Sequence, residues 1–109
     1  MLSIQPHIGD QGIATLYLSG QFDFNAYTDF KPHQQALLED PKVNTIVLEL
    51  SKLDYLDSAA LGTLLLLREK AQDKNMEVVI SGATGIVQEI LEIAHFQRMF
   101  RFVDSPEKV

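Results

Sequence analysis

The chain has 109 residues, which is room for one domain spanning 1–109, since domains run to roughly 100–200 residues. Its 15 acidic and 9 basic side chains leave a formal charge of −6, and this argues against a nucleic-acid surface, which needs clustered Lys and Arg. No cysteine is present, so disulfides, thiol nucleophiles and thiolate-held metals are excluded.

The composition, 46% hydrophobic and 22% charged, is that of a folded domain rather than a disordered chain. The longest apolar run, around residues 64–67, is far short of the ~18 residues of a membrane span, so no membrane insertion is expected. Met1-Leu2-Ser3-Ile4 lacks the basic and apolar regions of a secretory signal, and the expected location is the cytoplasm. A chain this small spends most of its apolar residues on one core. Little is left to enclose a substrate, so the expectation is a protein that is not an enzyme and holds no cofactor or metal.

Leu2-Ser3-Ile4 alternates like a short strand. A turn at Gly9-Asp10-Gln11-Gly12 leads to a second strand over 13–18, giving an antiparallel hairpin that ends at Ser19-Gly20. Asn25 is a candidate cap for a first helix with Tyr27, Phe30, Leu37 and Leu38 on one side. Pro32 falls early in that helix and predicts an irregular first turn. Residues 45–50 are a nearly continuous apolar run, as in a strand covered on both faces, and 51–57 read as a loop. A second helix follows over 58–72, with Lys70 and Lys74 near its carboxyl end, where cations favour the dipole. Residues 77–80 form the next strand and 82–85 a turn. Ile86, Ile90 and Ile93, with Val87, Leu91 and Ala94, form an amphipathic third helix, and 100–103 add a last short strand. Residues 104–109 read as a loose tail. Strands alternating with helices after a hairpin indicate an α/β sandwich with a mixed sheet and right-handed crossovers.

The segment richest in information is Leu53-Asp54-Tyr55-Leu56-Asp57-Ser58-Ala59-Ala60-Leu61-Gly62, which joins a buried strand to a helix. Asp57 or Ser58 can cap that helix by accepting a free backbone N–H. At roughly 100° per residue, Ala60, Leu64, Leu67 and Ala71 make one stripe, the natural core face. Ser58, Gly62, Leu65 and Glu69 lie opposite, with Leu66 beside them. Glycine inside a helix costs about 0.8–1.0 kcal/mol relative to alanine, so Gly62 away from the core points to a close approach by something else. Two readings stay open: a docking face with Ser58 at its edge, or a helix whose Leu65 and Leu66 lie under a neighbouring helix.

These residues carry a resemblance. The chain resembles the STAS domain, the anti-sigma-factor antagonist family, over almost its whole length. The resemblance rests on the hairpin, on Gly20-Gln21-Phe22-Asp23, and above all on residues 56–62 leading into Leu64-Leu65. The family pattern is Asp-Ser, then usually Ser, Thr or Ala, then a small residue, then Leu-Gly. Asp57, Ser58, Leu61 and Gly62 match it, while Ala59 lacks the second hydroxyl often found there.

The resemblance implies a STAS-type α/β fold: a mixed central sheet with an N-terminal hairpin strand and helices mainly on one face. It implies an anti-sigma-factor antagonist that binds an anti-sigma factor, itself a serine kinase, and so releases a sigma factor. The kinase phosphorylates Ser58 and binding is lost, and a serine phosphatase restores the hydroxyl. By the same resemblance the loop with Asp23 and Asn25 lies on the partner-facing end, although the two also read as a turn residue and a helix cap. The expected partner-binding set is Asp23, Asn25, Asp57, Ser58, Gly62, Leu65, Leu66 and Glu69. A phosphoryl group adds about −1.5 to −2 charge, which a helix amino end tolerates, so its effect would fall on the partner and not on the fold.

Other readings are weaker. A hydrolase elbow reads Gly-x-Ser-x-Gly, whereas Ser58 sits in Leu56-Asp57-Ser58-Ala59-Ala60, and His7, His33 and His95 stand in no recognisable spacing to it. A phospho-aspartate receiver would need an acidic pair after its first strand and a late lysine, but Gly9-Asp10-Gln11 and Ser81-Gly82 occupy those places. Asp54 and Asp57, three apart with no histidine, are a weak metal signal. The serious alternative is a STAS scaffold in a stressosome, chemoreceptor, biofilm or lipid-transport assembly without a sigma factor.

Overall fold

The computed structural model describes residues 1–109. Two strands, β1 (Leu2–Ile8) and β2 (Ile13–Phe22), pair antiparallel around a 3₁₀ turn at Asp10–Gly12. Then follow α1 (Tyr27–Glu39), β3 (Thr45–Leu56), α2 (Ser58–Asp73), β4 (Glu77–Ser81), α3 (Gly85–Ile93) and β5 (Arg101–Val103). The sheet order is β1-β2-β3-β4-β5, and every pair after the first is parallel. This is the expected mixed α/β sheet with its N-terminal hairpin.

One hydrophobic cluster joins Leu16, Leu48 and Ile80 of the strands to Phe30 and Leu37 of α1, Leu64 and Leu67 of α2, and Val87 and Leu91 of α3. The helices therefore cover one face of the sheet. Each fully buried leucine or phenylalanine contributes roughly 1.5–3 kcal/mol to the fold. The core stripe Ala60, Leu64, Leu67 and Ala71 is buried as expected. Arg68 fixes the far edge, its Nε donating to the Met99 carbonyl at 2.7 Å while its guanidinium lies 5.9 Å from the centre of the Phe100 ring.

Several boundaries differ from the sequence reading. β1 runs to Ile8 because it is an edge strand, where Pro6 costs no ladder bond. β2 does not stop at Ser19-Gly20, and 51–57 is not a loop. The two strands continue together to Phe22 and Leu56, with register shifts between Tyr17 and Ser19 and between Gly20 and Gln21. These irregularities break strict alternation, so the extension does not look like a strand in sequence. Asn25 does not cap α1: Ala26 holds that position without a side-chain bond, and Asp23 caps a preceding 3₁₀ turn, Phe24–Ala26. Pro32 lies inside α1 without breaking it, for the N–H it lacks would have served the carbonyl of Thr28, which is exposed to water. In α3 only Val87 and Leu91 are buried, while Ile86 and Ile93 face outward at 56% and 78% exposure. Residues 104–109 include a 3₁₀ turn, Pro106–Lys108, and Pro106 is half-buried against the sheet.

Gln34 occupies a core position of α1, and neither its amide nitrogen nor its oxygen finds a hydrogen-bond partner. A buried unsatisfied polar group costs about 1–3 kcal/mol. Gln34→Met, which keeps the unbranched shape, is expected to raise unfolding free energy by about 1–2 kcal/mol, read as a higher urea midpoint at unchanged slope.

Candidate functional site

The carboxyl ends of the parallel strands β2 and β3 meet the amino ends of α1 and α2 at one end of the molecule. Phe22, the last residue of β2, is buried against Phe30 of α1 with ring centres 5.0 Å apart, which anchors the connection between them. Asp23 shapes the next turn, its Oδ1 accepting the N–H of Asn25 at 2.9 Å.

Asp57 ties this loop to α2. Its own N–H donates to the Phe22 carbonyl at 3.1 Å. Oδ1 accepts the N–H of Ala60 at 2.9 Å, capping α2, and Oδ2 accepts the N–H of Phe24 at 3.1 Å. Its carbonyl starts the helix by accepting the N–H of Leu61 at 3.0 Å. Of the two possible caps, Asp57 is the one used. With each oxygen accepting a backbone N–H, Asp57 clasps the β2–α1 loop to the start of α2.

Ser58 is the first residue of α2 and its side chain is exposed. Along the same outer face, Gly62 and Glu69 are exposed and Leu66 is 41% exposed. Leu65 is half-buried at the edge of the core cluster, so the outer face is narrower than the spacing predicted. Asn25 is exposed and Asp23 half-buried, both on the loop that Asp57 holds. Phe24 was not singled out by the sequence reading. It is 69% exposed, and its backbone is bonded to the residue next to Ser58. The signal was an aromatic residue standing in a polar turn, Asp23-Phe24-Asn25.

The chain segments that form this end are rich in carboxylates, with Lys31, Lys52 and Arg68 just beyond them. Segments 20–30 and 53–67 contain Asp23, Asp29, Asp54 and Asp57 and no lysine or arginine. His7, His33 and His95 lie on β1, on α1 and after α3, none on the elements that hold Ser58. No helix is long and apolar enough to cross a membrane.

A family model described as the STAS domain matches residues 7–109. The chain belongs to the STAS domain family. A STAS-domain containing protein of Pseudomonas aeruginosa (strain UCBPP-PA14) is 36% identical over 87 residues, which cover 80% of this chain and 84% of that protein. Among solved structures, a putative anti-sigma factor antagonist from Thermotoga maritima superposes with a TM-score of 0.86 at 18% identity, covering 96% of this chain and 89% of the other. The anti-sigma factor antagonist SpoIIAA in its unphosphorylated form gives 0.77 at 16% identity, over 97% and 92%. At such identities the likeness is one of fold, and it places this STAS domain beside anti-sigma-factor antagonists in architecture.

Within the STAS domain Gly62 has a stability cost with no internal justification, since a Cβ there would meet nothing within 4 Å. Gly62→Ala is expected to stabilise the free protein by about 0.8–1.0 kcal/mol. If the outer face of α2 docks closely on a partner, the same change weakens that complex. Urea unfolding and a binding titration, run side by side, separate the two effects.

Proposed function

We propose that this STAS domain is an anti-sigma-factor antagonist working as a phosphorylation-controlled partner switch. The unphosphorylated form binds an anti-sigma factor that is also a serine kinase, so that a sigma factor is released. Phosphorylation of Ser58 abolishes the complex, and a serine phosphatase restores it.

The observation carrying this reading is the placement of one exposed hydroxyl. Ser58 stands at the amino end of α2, beside the Asp57 clasp, on an end of the molecule that presents Phe24, Gly62 and Leu66. An exposed hydroxyl can enter a kinase site without unfolding its own domain. The helix amino end stabilises a nearby anion by about 0.3–1 kcal/mol, so the fold accepts the product. Segments 20–30 and 53–67 offer no arginine or lysine to neutralise the added charge. On the exposed first turn of α2 the dianion adds to the neighbouring carboxylate of Asp57. A partner shaped to receive apolar Phe24 and Leu66 must then bury an uncompensated charge, which is strongly unfavourable.

Incubation with ATP and each purified serine kinase of the source organism's anti-sigma-factor type, followed by intact-mass analysis, tests the modification. One added phosphoryl group, absent in Ser58→Ala, is the expected result. Stoichiometric co-purification with a transporter or receptor complex, with Ser58 never modified, would replace this reading with the scaffold role.

A further inference from the structure

The sheet face opposite the helices holds a groove of about 490 Å³, walled by β1–β3 and the C-terminal 3₁₀ turn. Its floor follows one cross-strand row: Gln5 opposite Tyr17, Tyr17 opposite Glu49, and Glu49 opposite Ser81. Glu49 interrupts the apolar run of β3, yet it is only 7% exposed. Its seat is built for a carboxylate. Oε1 accepts the Ser51 N–H at 2.7 Å and Oε2 accepts the Ser81 hydroxyl at 2.9 Å. Gly82, at φ +72°, supplies the space, because a Cβ there would stand 2.8 Å from Oε2.

This carboxylate has no cation of its own. The ion pairs of the molecule are Arg101–Glu77 and Lys108–Asp104, and neither involves Glu49. Buried charges are ordinarily paired, because the lost hydration is otherwise uncompensated. Each carboxylate oxygen can accept more than the one bond it makes here, which leaves acceptor capacity in a residue that lines the groove.

We propose that this groove binds a small organic ammonium or guanidinium ligand, its cationic head on Glu49 and its body against the Tyr17 ring. Tyr17 is 41% exposed and next to Glu49 in register, so an aromatic face and a carboxylate converge as cation recognition requires. Glu107 adds a second carboxylate to the lining. Lys52 is the one cation in the lining, so the wall is net negative. The groove lies on the face away from α2, and the proposal is independent of the role given to Ser58.

The test is an NMR titration of the isotopically labelled full chain with putrescine and with arginine, against magnesium chloride and sodium chloride at matched ionic strength. Saturable shifts at Tyr17, Glu49 and Ser51 are expected with the amines, and Ser58→Asp should not alter them. Glu49→Gln is expected to weaken binding at least about tenfold, the loss of one charge-assisted contact. Tyr17→Ala, a change at an exposed side chain that keeps the seat of Glu49, is expected to weaken it about three- to fivefold. Absence of saturable shifts with both amines overturns the proposal. So does unchanged affinity in either variant, or equal saturation of the same resonances by magnesium.

Discussion

Ser58→Asp is expected to weaken binding to the anti-sigma factor kinase by at least about a hundredfold, whereas Ser58→Ala should stay within about threefold of the wild-type chain. The contrast follows from where Ser58 sits. Its hydroxyl is exposed on the first turn of α2 and is not part of the core, so removing it leaves the scaffold intact. A carboxylate there does not unfold the helix, because anions are welcome at its amino end. It does place a charge beside the Asp57 cap, on an end of the molecule where Phe24 and Leu66 are exposed. A hundredfold corresponds to about 2.7 kcal/mol, less than the cost commonly met when one charge in a protein contact is left unpaired. Affinities from calorimetric titration, with circular dichroism showing unchanged folding of both variants, check this directly. Equal, tight binding by both variants would contradict it.

Asp57→Ala is expected to lower unfolding free energy by about 2 kcal/mol and the melting temperature by about 10 °C. One part is the lost cap: Oδ1 satisfies the Ala60 N–H, and such caps are typically worth about 1 kcal/mol. The other part is the bond from the Phe24 N–H to Oδ2, which joins the β2–α1 loop to α2 and contributes about as much again. Asp57→Asn separates the two. An amide oxygen still caps the helix, but the amide nitrogen in place of the second oxygen cannot accept from Phe24, so roughly half the loss should remain. Differential scanning calorimetry of the three proteins measures both steps. A full-sized loss in Asp57→Asn would show that charge, and not the two-sided clasp, is the source of stability.

The parts of this molecule that could be read in sequence are those where local chemistry and tertiary packing agree. The 3.6-residue stripe of Ala60, Leu64, Leu67 and Ala71 and the Asp57-Ser58 junction are of that kind. So is the alternation of strands with helices after an opening hairpin. The misses occur where tertiary context overrides local pattern. The extension of β3 through Ser51 and Lys52 depends on register shifts against β2, which no period-two template follows. Asp23, and not Asn25, caps the turn before α1, because two adjacent cap-type residues look alike until the backbone selects one. The isoleucines of α3 look like core, yet the helix buries Val87 and Leu91, half-buries Ile90 and leaves Ile86 and Ile93 outside. Phe24 and Glu49 ran against expectation in opposite senses, an aromatic side chain left outside and a carboxylate taken inside. Such local violations of pattern are where function is expected to lie. The loop with Asp23 and Asn25 is held to the start of α2 by two bonds, from the Phe24 N–H to Asp57 Oδ2 and from the Asp57 N–H to the Phe22 carbonyl, which local sequence pattern does not reveal.

The most direct measurement is the affinity of one chain in two states: the wild-type domain before and after enzymatic phosphorylation at Ser58, each titrated with the kinase that modified it. The account predicts a tight complex for the first, loss of at least about a hundredfold in affinity for the second, and the same melting temperature for both within about 2 °C. Equal affinity of the two forms would contradict it, and so would a phosphorylated form that loses its partner only because it has unfolded.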